Sequence, residues 1–409
     1  MKRFKRWKRW TLLLMLGLIV ISQSPFVYRR FQLRTLRAKI QELNSSRVVN
    51  PSDAYADYKG VFHVHSLLGG HSTGSFADII EGARQNNLNF VVMTEHPSAT
   101  IDTAEMTLKG VQGGVLFING NEASTNAGDR FLVLPGSIDA RTSGTKPTQD
   151  FITEEKAQGR LMFLAYPQEF RSWETADGYD GIEVYNLYTN ARRINPVVMF
   201  FDGIWSYGSY ADLLFTRFYE RPTESLKRFD DLTVSKNRRL VALAGNDAHQ
   251  NVGIHLGDAG GKKYLGILLD PYSRSFQIVR THALLEKDRA LSADTLLEAI
   301  RSGHCYIAFD LLADSTGFRF AAENGNASAI MGDALSLTEG GVRLKVSTPI
   351  KSRIVLFRNG QAVEEAPDVL SKEFTVNQRG VYRVEVYLDT LGSSFTTRPW
   401  IISNPIYIE

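Results

Sequence analysis

Four short apolar runs of this chain, far apart in sequence, each end in side chains that can bind a metal ion. The runs read FHVHSLLGGH, MTEH, INGNE and LAGNDAH, and together they contain five of the eight histidines. The metal-binding candidates are His63, His65, His71, His96, Glu122, Asp247 and His249. Mixed histidine and carboxylate ligands suit Zn, Mn or Fe better than Mg or Ca. Because such ions activate water, the pattern indicates a metal-dependent hydrolase.

The spacing within two of these runs favours shared ligation of one ion. His63 and His65 are two residues apart at the end of an apolar run, so on a strand both side chains point to the same face. Asp247 and His249 repeat this spacing. Glu122 follows another such run, and a buried acid is costly unless it is paired or bound to a metal.

The elements that must position these residues alternate between short apolar strands and amphipathic helices. Helices are predicted after Ser75, which caps the first of them, and over 149–158, 223–235 and 291–302. This alternation is typical of an α/β barrel or a doubly wound sheet. In a parallel barrel, active sites collect at the C-terminal strand ends, where these ligands fall. The predicted strands are 61–64, 89–94, 115–118, 131–134, 161–165, 182–185 and 240–244.

The pattern changes after about residue 317, where helical periodicity stops and alternating strands begin. Between two of these strands, Asn359-Gly360 predicts a tight hairpin turn of type I′. Residues 317–409 are therefore predicted to form a small all-β, Ig-like sandwich. Its predicted strands are 342–346, 353–357, 373–376, 381–386 and 401–408.

The N-terminus is typical of a membrane anchor. Six of the first nine residues are Lys or Arg, and the uncharged stretch from Thr11 to Tyr28 is eighteen residues long. That length is at the short end for a membrane span. A cleaved signal peptide is the alternative, but no small-x-small cleavage site follows Ser22. We expect residues 1–28 to be an uncleaved single-pass signal anchor, with the body on the extracytoplasmic side.

Residues 29–59 are expected to connect this anchor to the body. The stripe of Phe31, Leu33, Leu36, Ile40 and Leu43 predicts a basic helix. It is interpreted either as a solvated stalk or as a helix that contacts anionic headgroups. The polar stretch 51–59 is predicted to be a linker.

Charge divides the chain into two unlike parts. Residues 1–50 contain 12 Lys/Arg and one acid, whereas the rest contains 35 basic and 43 acidic residues. An acidic body is a poor candidate for duplex binding through phosphate neutralisation, so no specific nucleic-acid partner is expected. Cys305 is the only cysteine, which excludes an internal disulfide, and its apolar surroundings predict burial. The oligomeric state is left open.

The motifs, in order, resemble those of the PHP (polymerase and histidinol phosphatase) domain metallohydrolases. The resemblance lies in the His-x-His-Ser that begins at His63 with a third histidine at His71, in Thr94-Glu95-His96, in Gly120-Asn121-Glu122 and in Asp247-Ala248-His249. It covers about residues 60–310. The ending around Pro399-Trp400 is similar to the β-sandwich tail of exported members of the family.

The resemblance implies a distorted (β/α)₇ barrel over residues 60–316 that hydrolyses a small-molecule phosphate ester. It implies one metal bound by His63, His65, Glu122 and Asp247, and another bound by His71, His96 and His249. Two positions that carry histidines in the family are here Arg130 and Tyr166. We therefore expect two divalent transition metal ions (Zn, Mn or Fe) per chain.

Further residues are expected to complete the site. Asp247 and Arg130 are predicted to be catalytic, and the expected substrate contacts are Arg130, Tyr166, Glu183, Asn186 and His255. Hydrolysis of a non-phosphate ester, carbamate or amide stays open as an alternative. A degenerate barrel that binds metal or ligand without turnover is the other alternative.

The aromatic segment MFFDGIWSYGSY, which includes Asp202, Trp205 and Tyr210, has two interpretations. It is either a buried aromatic cluster or a cover over the site.

Overall fold

The computed structural model describes the backbone of residues 2–49, 54–192, 195–236, 238–257, 263–325 and 327–409, and their side chains except those of 2–6 and 254–267. The helices are α1 Lys2–Ser45, α2 Phe76–Gln85, α3 Thr103–Met106, α4 Thr148–Ala157, α5 Leu187–Ala191, α6 Pro196–Tyr210, α7 Thr223–Ser235, α8 Tyr272–Ser275 and α9 Ala293–Arg301. The strands of the first part are β1 Tyr55–Val64, β2 Phe90–Met93, β3 Gly110–Gln112, β4 Val115–Ile118, β5 Asn121–Ser124, β6 Arg130–Leu134, β7 Leu161–Ala165, β8 Gly181–Asn186, β9 Val241–Ala248, β10 Gly253–Gly257, β11 Lys263–Leu268, β12 Arg280–Glu286 and β13 Cys305–Ala308. The strands that follow are β14 Arg319–Glu323, β15 Ser328–Ile330, β16 Ala334–Leu335, β17 Val342–Arg358, β18 Gln361–Val376, β19 Gly380–Tyr387, β20 Ile401–Ser403 and β21 Ile406–Ile408.

A large mixed sheet that closes on itself forms the first part of the molecule. Strand β1 pairs in parallel with both β2 and β9, and β2–β4, β7–β8 and β8–β9 are parallel as well. Strand β6 runs antiparallel between β5 and β7. A bridge from Glu95 to Asn121 connects the end of β2 to β5, and the β9–β1 pairing completes the closed arrangement.

The central strands are apolar on both faces because both faces are covered. Every residue of β2, β4 and β7 is buried. Such continuous apolar runs are typical of strands that lie between layers of other elements. Helix α2 covers part of this sheet with Ile79 and Ala83, and it begins at the predicted Ser75 cap, which forms a capping box with Asp78.

The C-terminal part is a sheet built on the β17–β18 hairpin. Its turn is the predicted Asn359-Gly360, and both residues have positive φ, 50° and 78°, as a type I′ turn requires. Strand β19 pairs with β17, β20 and β21. Strand β20 also pairs with β13, so the C-terminal sheet is continuous with the β1–β12–β13 part of the first sheet.

A buried ion network joins the two parts. The guanidinium of Arg383 donates to both oxygens of Asp230 on α7, at 2.8 Å each, and to Glu385 at 2.6 Å. Arg221 donates to the same Glu385. Removing one partner of such a buried pair leaves an uncompensated charge, at a cost of about 3–5 kcal/mol. The network therefore holds α7, the helix that precedes β9, against the C-terminal sheet.

Helix α1 is a single helix of 44 residues, and its two halves have different surroundings. It is long and apolar enough to cross a membrane, and none of its most apolar window is buried within the protein. Its second half packs on the body through Leu33, Leu36 and Ile40, all of which are buried. Arg37 forms an ion pair with Asp212. This half is therefore a docked helix, which differs from both interpretations of the sequence, a solvated stalk and a headgroup-binding segment.

One further sequence expectation changes in the structure, and another is confirmed. The residues 55–59, predicted to be part of a linker, form the first half of β1 and pair with β12. This pairing is stabilised by Asp57, which binds the buried His282 of β12 at 2.8 Å. Cys305 is buried, as predicted.

His282 provides a pH test of this packing. Burial lowers its pKa, but Asp310 and Asp57 raise it further, to about 9 from 6.5. Because the folded-state pKa is the higher one, this stabilisation is complete below about pH 6.5 and is lost as the pH rises toward 9. The shift corresponds to roughly 3 kcal/mol.

We expect His282→Gln to remove most of the loss of stability between pH 6 and 9, measured by guanidinium unfolding of the full chain in detergent. His304→Gln, at a partly exposed position, is the control, and an unchanged pH slope in His282→Gln would contradict the account.

Candidate metal centre

The first two ligands lie at the end of β1, where the strand is irregular. His63 has a φ of 64°, and the pairing of β1 with both β2 and β9 shifts register around it. Both imidazoles are fully buried, with ring centroids 5.1 Å apart. The sequence predicts that a regular strand points the two rings the same way. The structure brings them together through a bulge instead.

Glu122 and Asp247 complete a four-residue set with these histidines. The donor atoms of His63, His65, Glu122 and Asp247 all lie within 4.8 Å of one another. The distance from His63 Nε2 to Glu122 Oε2 is 3.2 Å, and those from His65 Nε2 to Glu122 Oε2 and to Asp247 Oδ1 are 3.3 and 3.5 Å. Ligand atoms bound at about 2.1 Å in a tetrahedral shell lie about 3.4 Å apart. The spacing of this set therefore fits a metal ion.

A second set of imidazoles converges beside the first. His71 Nε2 lies 3.2 Å from His96 Nε2 and 2.6 Å from His249 Nε2. The donor atoms of His65, His96 and His249 also lie within 4.8 Å of one another. The Nδ1–H of His249 donates to the carbonyl of Asp247 at 2.8 Å, which leaves Nε2 as the ring nitrogen that binds. The structure thus brings together all seven residues that the sequence singles out as metal ligands.

Unsatisfied buried atoms show that the first set fits a cation. Both nitrogens of His65, Oε1 of Glu122 and Oδ1 of Asp247 are buried without a hydrogen-bond partner among the described residues. Buried polar groups in native proteins are normally paired, so these atoms require a further partner. A donor set of imidazoles and carboxylates suits a divalent metal ion as that partner.

Four of the ligands have protonation states that suit metal binding. Burial lowers the pKa of His96 to about 4, partly opposed by Glu122, and burial with His65 lowers that of His249 to about 4. Both rings are therefore neutral near pH 7, as metal binding requires. Burial raises the pKa of the Glu122 and Asp247 carboxyls, but the imidazoles, His63 first, lower it further, so that both remain charged. Burial lowers the pKa of His63 and His65, but the neighbouring carboxylates raise it further, so a metal would displace a proton from each of these two rings.

Glu183 and Asn186, predicted to contact substrate, lie instead behind the ligands. Glu183 is fully buried and accepts a hydrogen bond from His63 Nδ1 at 2.6 Å. Asn186 donates to Glu183 at 3.1 Å and to Asp247 at 3.4 Å. A carboxylate on the far ring nitrogen fixes the orientation of a metal-binding histidine. Positioning of ligands is therefore the role that these contacts support.

Arg130 and Tyr166 form a pair at the edge of the first set. The Tyr166 hydroxyl donates to Asp247 Oδ2 at 2.6 Å, and burial, followed by Asp247, raises its pKa, so it stays a neutral donor. The Arg130 guanidinium lies 4.8 Å from the centroid of the Tyr166 ring. Its Nη1 is 3.7 Å from Glu122 Oε1, and 41% of the side chain is exposed. A fixed positive charge thus faces both the ligand set and solvent.

Three features of the site carry no clear sequence signal. His63, Tyr166 and Asp247 all have φ between 49° and 64°, a region that costs non-glycine residues about 1–3 kcal/mol each. A Cβ on Gly245 would lie 1.6 Å from Glu183 Oε1, so this position on β9 admits only glycine. Glu95, next to His96, is buried and accepts hydrogen bonds from the amide and hydroxyl of Ser66, which holds the loop that carries His71. A glycine within the apolar strand 240–248 is the one trace of these features in the sequence.

His255, the remaining predicted substrate contact, is on β10, and its side chain lies outside the described residues.

Comparisons with known proteins return structural likenesses only. No protein-family profile matches the chain, and no curated protein matches it. A two-domain protein from Bacteroides vulgatus ATCC 8482, described as containing a predicted PHP-like metal-dependent phosphoesterase, is 15% identical with a TM-score of 0.41; the match covers 88% of this chain and 98% of that one. PsfC from Pseudomonas syringae PB-5123 is 14% identical with a TM-score of 0.35, covering 62% of this chain and 91% of that one.

Endonuclease Q, in complex with a 27-mer duplex that carries an abasic lesion, is 12% identical with a TM-score of 0.35, over 61% of this chain and 56% of that one. The expectation that this chain has no nucleic-acid partner stays a prediction. The Bacteroides protein is described by the same family that the motifs resemble. At these identities and TM-scores the likenesses say nothing about activity, which must be inferred from the site itself.

The contact between Glu183 and His63 predicts a specific loss of metal affinity. We expect Glu183→Gln to weaken binding of Zn to the full chain in detergent by roughly 10- to 100-fold. The substitution removes the negative charge that faces His63 but keeps the size and shape of the side chain. The measurement is competition with a chromogenic chelator. Glu169→Gln, at an exposed position near the same strand ends, is the matched control. Equal affinities in the two variants would show that Glu183 does not support the ligand.

Proposed function

We propose that this chain is a metal-dependent hydrolase of PHP type that cleaves a phosphate ester. One observation carries the proposal: two sets of ligand atoms converge on adjacent points, one from His63, His65, Glu122 and Asp247 and the other from His71, His96 and His249. The closed sheet brings them there from the ends of four segments that are distant in sequence. The fold we propose for residues 60–316 is the distorted (β/α)₇ barrel that the resemblance implies, with residues 317–409 as an Ig-like sandwich.

Each metal would be held by one of these sets. His63, His65, Glu122 and Asp247 would hold the first, and His71, His96 and His249 the second. Divalent ions bound there would lower the pKa of water to about 7 and neutralise charge on phosphoryl oxygens. Zn, Mn and Fe are the ions that this donor set favours.

The other side chains of the site act on the ligands and on the substrate. Glu183 holds the ring of His63, and Tyr166 and Asn186 hold the Asp247 carboxylate through hydrogen bonds to Oδ2, which directs Oδ1 toward the ligand set. Arg130 is the described cation that borders the set. Its planar fork of donors suits two oxygens of a phosphoryl group. A fixed positive charge at this edge favours a phosphate ester over a neutral carboxylic ester or amide.

The location that we propose follows from α1. Residues 1–28 would anchor the protein in a membrane as an uncleaved single-pass helix. The basic cluster at residues 2–9 would stay on the cytoplasmic side, and the body would lie on the extracytoplasmic side.

The substrate class is tested with a panel of chromogenic esters. We expect the full chain in detergent, loaded with Mn or Zn, to hydrolyse phosphate mono- or diesters and to leave carboxylic esters intact. A chelator should abolish the activity, and added metal should restore it. Hydrolysis of the carboxylic esters alone would overturn the phosphoesterase assignment but not the hydrolase. Metal binding without turnover of any ester would support a degenerate binding site instead.

The role of Arg130 is tested separately. We expect Arg130→Ala to lower kcat/KM for a phosphate ester by roughly 10- to 100-fold, the value of one or two charge-assisted hydrogen bonds. Metal content should stay unchanged, since Arg130 is not a ligand. Arg343→Ala, which removes an exposed arginine of the C-terminal sheet, is the control. An unchanged kcat/KM in Arg130→Ala would show that Arg130 does not contribute to the reaction.

A further inference from the structure

Helix α6 carries an exposed apolar face that the site does not use. Its large exposed side chains are Val197, Phe200, Ile204 and Trp205, which are between 37% and 61% exposed. They recur at helical spacing along one side of the helix. The only charged residue of α6, Asp202, points inward and is fully buried against Arg29 and Arg217. The exposed face shows that the segment is not the fully buried aromatic cluster that the sequence suggested.

Helix α6 runs parallel to α1 in a fixed register. The ring centroids of Phe26 and Phe201 are 5.2 Å apart. Arg30 donates to the carbonyl of Trp205, and Arg37 forms an ion pair with Asp212, each across 175 residues. The Trp205 indole N–H also donates to Gln23 at 2.9 Å, so the contact extends into the uncharged part of α1.

This register sets the level of the apolar face relative to the proposed membrane span. At the same offset of 175 residues, Val197 lies level with Ser22 and Phe200 with Pro25, whereas the first charge after the span is Arg29. At about 1.5 Å per residue, Val197 is then about 10 Å below the level of Arg29. A depth of about 10 Å reaches the boundary between the headgroups and the acyl chains of a bilayer. Because α1 is docked on the body without a break, lipid around its span also surrounds this part of α6.

A short segment of chain connects the metal centre to the start of α6. The ring of Tyr188, on α5, lies 5.7 Å from the ring of His249 between centroids. Helix α5 ends at Ala191 and α6 begins at Pro196, and a chain of five residues spans at most about 18 Å. Exposed apolar side chains also stand next to the ligands in sequence: Leu67 follows His65 by two residues, and Val252 follows His249 by three.

We propose that the N-terminal half of α6 is inserted into the lipid surface beside α1, and that the metal centre acts on a phosphate ester of a membrane amphiphile. This inference rests on the proposed hydrolase and on the proposed anchor role of α1. Insertion holds the centre at headgroup level, where the phosphate of an amphiphile reaches the ligands while its apolar part stays in the lipid.

The membrane contact is tested in proteoliposomes of the full chain. Cys305 is buried, so Phe200→Cys adds one accessible thiol for a fluorophore. Lipids with a spin label on the acyl chain should quench this fluorophore strongly. They should leave a fluorophore at Val363→Cys, an exposed apolar position on β18, unquenched. Equal quenching at the two positions would overturn the membrane contact, and self-quenching without lipid quenching would identify a second copy of the chain as the occupant.

The substrate is tested with Phe200→Glu/Ile204→Glu in the same vesicles. We expect hydrolysis of phosphatidate in the bilayer to fall at least 10-fold relative to 4-nitrophenyl phosphate in solution, with Val363→Glu unchanged. If the ratio of the phosphatidate rate to the 4-nitrophenyl phosphate rate is the same in the wild type and both variants, the proposed amphiphile substrate is wrong. The proposed hydrolase activity would not be affected by that result. If the wild type hydrolyses neither compound, the proposed function fails, and the quenching result still decides the membrane contact on its own.

Discussion

The structure depends most on the cost of burying charged and polar atoms at one end of the closed sheet. Glu122, Asp247 and Glu183 are buried together with His63 and His65, and several of their atoms have no partner within the described chain. Burial of an unpaired charge is among the most expensive features that a fold can contain. A divalent cation would offset that cost because it would satisfy carboxylate oxygens and imidazole nitrogens at once. The proposed metal binding would therefore be coupled to the folding of this region.

The rest of the fold holds these atoms in place. The β-strands supply ligands from their ends, and left-handed backbone at His63, Tyr166 and Asp247 aims the side chains at the site. Strained conformations of this kind persist only where the surroundings determine them. Here the surroundings are the buried strands, Gly245, which leaves room for Glu183, and the Arg383 network that fixes α7 on the C-terminal sheet. Helix α1 packs on the same body and contacts α6, which places the site relative to the proposed membrane span.

Much of this arrangement could be predicted from the sequence because periodicity and ligand chemistry are local signals. The strands 115–118 and 161–165, the helix 223–235, the Asn359-Gly360 turn and all seven metal-binding candidates are found where the sequence predicts them. Contacts between distant segments were not predictable. The sequence predicts that Glu183 contacts the substrate, because it does not show that His63, 120 residues earlier, lies beside Glu183 in the fold. Likewise, residues 55–59 become a strand only because β12 pairs with them, and α6 is understood only from its register with α1.

The central claim is that two metal ions occupy adjacent points defined by these ligands. The most direct measurement is anomalous diffraction from crystals of the full chain grown with Zn or Mn, recorded at the absorption edge of the metal. The account predicts one peak among His63, His65, Glu122 and Asp247, and a second among His71, His96 and His249. Anomalous peaks elsewhere on the protein, or none at either position in metal-saturated crystals, would contradict it.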